Sequence, residues 1–135
     1  MAYAAPTRPF IPDRLSLERP LSGPSLEFDL EADLARLRSE DTWRRNGHNA
    51  RTLAKYPDVR IVLGCARAGT RMSTHEPNQR LTVQCLSGQV RVYAGGKAVD
   101  LKAGHLAVTD KAMAHDIEAV KDSAFLLSVS WPTSA

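Results

Sequence analysis

Residues 81–101 read LTVQCLSGQVRVYAGGKAVDL, and the fold turns on how this stretch is divided. LTVQCLS alternates apolar and polar residues up to Gly88, VRVY does so again up to Gly95-Gly96, and KAVDL follows. A period of two marks strands with one buried face, and a Gly-Gly pair between two such runs is a tight hairpin turn. The same texture extends outward in both directions. Upstream lie TLAKY, VRIVLGCA and TRMSTH; downstream lie HLAVT, HDIEAV and SAFLLSVS, each bounded by Gly, Pro, Asn or Asp. About nine strands in about eighty residues, with no helical pattern between them, predict an all-β antiparallel double-sheet sandwich or barrel.

Ahead of the barrel, expected over about 51–131, two further segments stand apart. DLEADLARLRSED repeats Leu30, Leu34 and Leu37 at helical spacing, with Asp29 as N-cap, and predicts one amphipathic helix over about 29–39. Trp43 reads as an anchor packing this helix on the body, and RRNGHNAR as a loop into the barrel. Residues 1–24 hold five prolines, which remove backbone donors and keep the chain out of helix. They form a proline-rich arm whose Phe10, Ile11, Leu15 and Leu17 suit either a surface-bound strap, on this domain or a partner subunit, or a loose terminus. The expected division is therefore an arm, 1–24, and a barrel domain with its helix, 25–135.

Composition bounds the function classes. The 135 residues are 43% hydrophobic and 24% charged, which fits a globular chain able to build a core without staples. Two cysteines, Cys65 and Cys85, exclude a disulfide framework and a four-cysteine zinc site and suit a reducing compartment; the expected location is the cytoplasm. Apolar runs are too short for a membrane helix, and the basic residues, 18 against 15 acidic, are dispersed rather than gathered, so neither membrane nor nucleic acid is an expected partner. Phosphate loops, nucleophile elbows and paired carboxylates are lacking.

One pattern does carry chemistry. Gly69 is followed six residues later by His75, the segment closes at Gly88, and after a short gap Gly104 is followed eleven residues later by His115. This resembles the two motifs of the cupin superfamily, and the chain from about 51 to 130 is similar to small single-domain bacterial cupins. The resemblance implies a jelly-roll barrel, association as a homodimer, and a metal site built from two histidines one residue apart, a glutamate and the histidine of the second motif. Here the motif is degenerate: His75 and His115 stand at the outer positions, but Pro77 replaces the second histidine and Leu81 the glutamate. Asp110, Ala112 and Ala119 replace the usual proline, glycine and asparagine of the second motif.

A catalytic metal generally takes three or more protein ligands. Cys85 shares the alternation face of Leu81 and Val83 and could lend a thiolate, but apolar flanks make it a small hydrophobe, as they do Cys65 in IVLGCA. The leading expectation is a barrel that binds a small organic molecule, lined by Leu81, Val83, Cys85 and Ile117 and oriented by His75 and His115, with Arg71 and Ser73 on the same alternation face if their strand is regular. The alternatives are a metal-dependent oxygenase or isomerase holding a divalent transition metal through His75 and His115, and a structural or interaction module. Whether the chain is an enzyme stays open at this level. His105 is expected at the solvent, His48 in the loop before the barrel, and Gln84 on the outer face of its sheet.

Overall fold

A computed structural model describes residues 19–73, 79–110 and 115–130, with the backbone alone for His115. The expectations placed on residues 1–18, His75, Pro77 and Ala112 lie outside the described residues, as does the side chain of His115.

Nine strands are present among the described residues: β1 (His48–Lys55), β2 (Val59–Ala66), β3 (Arg71–Ser73), β4 (Arg80–Ser87), β5 (Gln89–Ala94), β6 (Lys97–Lys102), β7 (Leu106–Val108), β8 (His115–Ala119) and β9 (Ser123–Ser130). They form two antiparallel sheets, one ordered β1-β2-β9-β4-β7 and the other β3-β8-β5-β6. The hairpin read from Gly95-Gly96 joins β5 to β6 with Ala94 opposite Lys97, and both glycines have positive φ, 59° and 78°, as a two-residue turn of this hand requires.

Side chains from the inner faces meet between the sheets. Ala50, Val62, Leu81, Val83, Cys85, Phe125 and Leu127 from the five-stranded sheet pack on Met72, Val90, Val92, Leu101, Ile117 and Ala119 from the four-stranded one. The five-stranded sheet is apolar on part of its other face too. Leu53, Leu63, Cys65 and Ala124 point away from the inter-sheet core and need their own cover.

That cover is helical. Helix α1 (Leu30–Arg38) starts where Asp29 accepts the Ala32 amide and buries Leu34 and Leu37 against the sheet. A second helix, α2 (Asp41–Asn46), follows where the sequence reading has a loop, so β1 begins at His48 rather than near residue 51. Trp43 on α2 packs against the outer cluster, with the Arg67 guanidinium 5.0 Å from its ring centroid. Asn49 of β1 ties the helix junction down, its amide donating to the Leu37 carbonyl at 2.9 Å and to Glu40 at 2.8 Å.

One charged pair lies beneath this layer. Arg51 is 1% exposed and donates to Asp33 Oδ1 at 3.0 Å, while Arg19, from the described end of the arm, approaches the same oxygen at 3.5 Å. Removing one partner of a buried ion pair strands the other, at a cost of about 3–5 kcal/mol. Arg51→Ala is expected to destabilise by that amount in urea unfolding. Arg51→Met combined with Asp33→Leu is expected to lose less than Arg51→Ala alone, because no buried charge is left behind.

Candidate functional site

The four apolar residues expected to line a pocket are brought together. Leu81, Val83 and Cys85 follow one another along the inner face of β4, paired with Val129, Leu127 and Phe125 of β9. Ile117, in the opposing sheet, stands between Met72 and Val92. All four are at most 2% exposed and belong to one packed cluster. The backbone of His115 pairs with Ala94, two residues before Ile117 on the same strand.

Arg71 and Ser73 are not part of this group. Met72 enters the inter-sheet core opposite Ile117, so its neighbours on the three-residue strand β3 occupy the outer face of the four-stranded sheet. There Arg71 Nε donates to Asp116 Oδ2 at 3.1 Å, and its guanidinium lies 3.8 Å from the Tyr93 ring centroid. The Tyr93 hydroxyl donates to Glu118 at 2.6 Å, and Arg91 donates to Asp100 at 2.6 Å and 3.3 Å. Alternation along β5 and β8 carries this ladder: 91 and 93 face 118 and 116, with apolar 92 and 117 between them. The signal in the sequence is the alternation in VRVY and HDIEA, which sets Arg91, Tyr93, Asp116 and Glu118 at opposite parity to Val90, Val92 and Ile117; which of them pair comes from the strand register.

The interior donors are few. Cys85 Sγ is 3.4 Å from the Ser87 carbonyl, and burial pushes its thiol pKa up, which keeps the proton on sulfur. The Cys65 thiol, buried beneath the helices, is pushed up to about 11. Among the described residues no group of three His, Cys, Asp or Glu side chains is placed to hold a metal ion. On the inner face Cys85 has Val83 before it on β4 and Phe125 opposite it on β9. His105 is at the surface, its Nδ1 accepting from the Lys102 amide at 3.3 Å. His48 differs from the expectation: it opens β1 and is only 9% exposed.

Comparison with solved structures decides the fold family. The structure superposes with a TM-score of 0.59 on the Cupin_2 domain of an XRE-family transcriptional regulator from Enterobacter cloacae, at 13% identity, over 65% of this chain and all of that one. The chain has the cupin fold. A conserved protein of unknown function from Streptococcus pyogenes is similar over 85% of this chain and 95% of its own, with TM-score 0.64 and 19% identity. A mutant form of salicylate 1,2-dioxygenase from Pseudoaminobacter salicylatoxidans gives 0.70 at 16% identity over 87% of this chain, which spans 38% of that enzyme. Neither a protein-family model nor a curated protein matches the chain. Among the described residues of this cupin barrel no helix is long and apolar enough to cross a membrane.

Two solution properties follow from these buried groups. Both thiols are buried and held protonated, so alkylation of the native protein at pH 8 is expected to be slow at Cys65 and Cys85 and complete after unfolding, by mass spectrometry. Burial also lowers the His48 pKa, so the unfolded chain takes up its proton first as pH falls. The contribution of neutral His48 is present above about pH 6.5 and is lost as pH falls below it. Urea unfolding between pH 7.5 and 5 is expected to show a shallower acid loss in His48→Gln than in the parent.

Proposed function

We propose that this cupin barrel binds a small organic molecule, with Leu81, Val83, Cys85 and Ile117 as the apolar side of the site and His75 and His115 as the groups that orient the ligand. The observation that supports the reading is Leu81. The motif's carboxylate position is filled by an aliphatic side chain 2% exposed and packed against Val83, Cys85 and their β9 partners. A barrel wall of that chemistry offers no anionic group to a metal, and an organic ligand would have to seat against its apolar side. His75 and His115, if they touch an organic ligand, act as neutral hydrogen-bonding groups whose tautomers suit either a donor or an acceptor.

A metal-dependent oxygenase or isomerase is the second reading. It is favoured by the retention of His75 and His115 at the two outer motif positions, and by the metal chemistry that the cupin fold implies. There the two imidazoles would hold a divalent transition metal, which would supply Lewis-acid or redox chemistry. Homodimerisation belongs to the same proposal. Leu106 and Val108, each 59% exposed on edge strand β7, sit beside Gln84 and Thr82, with Arg80 at the end of the same face of β4, on a part of the five-stranded sheet that a second copy would cover.

The histidine pair separates the readings. The parent protein, purified without chelator, is expected to contain far less than one equivalent of transition metal by elemental analysis. His75→Ala and His115→Ala are each expected to weaken a hit from a small-molecule thermal-shift panel by about 1–3 kcal/mol, as loss of a hydrogen bond to a ligand does. One equivalent of metal, removed by either substitution, would establish the metalloenzyme instead. Leu81→Glu, which restores the motif's carboxylate, is expected to raise zinc affinity while lowering apo stability, measured by calorimetric titration and urea unfolding.

A further inference from the structure

The inner face of the five-stranded sheet carries a row that is not apolar throughout. Alternation along β2 places Val62 and Ala66 in the inter-sheet core and Ile61, Leu63 and Cys65 beneath the helices, so Arg60 belongs to the inner face. Its cross-strand partner on β9 is Val129, which packs on that core, and Val129 pairs in turn with Leu81 of β4. On the other side Arg60 stands opposite Lys55, the last residue of β1. Lys55, Arg60, Val129 and Leu81 thus follow one another across the sheet, cations first and then aliphatic side chains.

This row lies toward the His115 end of the barrel. At the far end of β4, Cys85 exchanges backbone hydrogen bonds with Gly104 and His105, at 2.8 and 3.0 Å, just beyond Leu101, the partner of Val90 at the start of β5. From there β5 runs away to Ala94, which pairs with His115. Leu81 and the backbone of His115 are therefore on the same side of Cys85.

Two features set Arg60 and Lys55 apart from a solvated edge. Like charges directly opposite on neighbouring strands repel, which costs stability. Arg60 is also half-buried with its Nε shielded from water, whereas Lys55 is exposed, so the guanidinium is held along the wall beside Val129. A guanidinium is a planar fork that matches a carboxylate with two parallel hydrogen bonds. An anion seated there would relieve the repulsion between the two cations.

We infer that the ligand of this barrel is an organic carboxylate, its anionic group held by Arg60 with Lys55 beside it and its apolar body against Leu81, Val83 and Val129. The inference rests on the reading of the barrel as a ligand site and adds the charge of the ligand and the residue that selects it.

Matched pairs of probes test it on the full-length chain. Benzoate, hexanoate and decanoate are each set beside the primary amide of the same skeleton, with phenyl phosphate as a different anion, and binding is read by thermal shift and calorimetric titration. A carboxylate is expected to bind about tenfold or more tighter than its amide, the scale of a charge-assisted hydrogen bond. Arg60→Gln is expected to remove that preference and leave the affinity for the amide within about twofold, while Lys55→Gln, at an exposed position, narrows it by about twofold to threefold. Should Arg60→Gln fail to fold, the Arg60 Nε–H resonance of the parent gives the same reading, shifting with benzoate and not with benzamide. Carboxylates and amides that bind alike, or a preference that survives Arg60→Gln in a folded chain, would overturn the inference and leave the organic-ligand reading standing. Phenyl phosphate binding tighter than benzoate would overturn the carboxylate assignment. Binding of neither member of any pair would overturn this inference together with the ligand site on which it rests.

Discussion

The Arg51–Asp33 ion pair is the point on which the helical layer rests. A guanidinium with 1% exposure is costly to bury alone, and a carboxylate on α1 is the group that makes its burial tolerable. The pair therefore fixes which side of α1 faces the sheet. With that side set, Leu34 and Leu37 fall onto Leu53 and Leu63, and the Asn49 amide can meet the Leu37 carbonyl at the helix end. A hydrophobic contact alone would let α1 slide or roll, because apolar packing is non-directional. The two charges give it a register, and the hollow beside Leu30 and Leu86 is a consequence of where that register places the helix.

The interior of the barrel follows a different logic. In the five-stranded sheet, β4 and β9 are buried on the inner side by pairs that are apolar on both strands, such as Val83 with Leu127 and Cys85 with Phe125. Such a wall closes by contact and needs no ion to hold it together. The fold alone decides little about chemistry, since regulators and oxygenases share it. The side chains of this chain's own inner face say more: Leu81, Val83 and Cys85 line β4 with apolar groups and no charge.

Strand positions and faces were legible wherever the alternation ran long. LTVQCLS and VRVY each span enough residues for the period of two to be unambiguous, and Gly95-Gly96 pins the turn between the second run and KAVDL. Helix α1 was legible through Asp29 and the three leucines. Three features were not. Helix α2 is six residues long, below the length at which periodicity speaks; its one signal was Gly47 after Arg44 and Arg45, a left-handed C-cap at φ 74°. Strand β1 starts at His48 because Arg51, which reads as a loop residue, is buried by its partner on α1, a contact between distant parts of the chain. Arg71 and Ser73 were assigned a face by counting back from His75. Met72, not Arg71 or Ser73, enters the core opposite Ile117, and His75 lies outside the described residues.

The two outer faces of the barrel are built to opposite ends. On the four-stranded sheet, Arg71, Tyr93, Asp116, Glu118, Arg91 and Asp100 satisfy one another in a ladder, with the Arg91 guanidinium holding the Asp100 carboxyl below its usual range. Each group there has a partner within its own sheet, so the ladder is complete without a ligand and gains little from one. On the five-stranded sheet the helices cover β1 and β2 but leave Thr82, Gln84, Leu106 and Val108 facing out with no charge among them. Apolar area that water still touches is free energy not yet gained, and it is found at Leu106 and Val108 on β7, at Val99 on β6, and in the cleft lined by Leu30, Leu34 and Leu86.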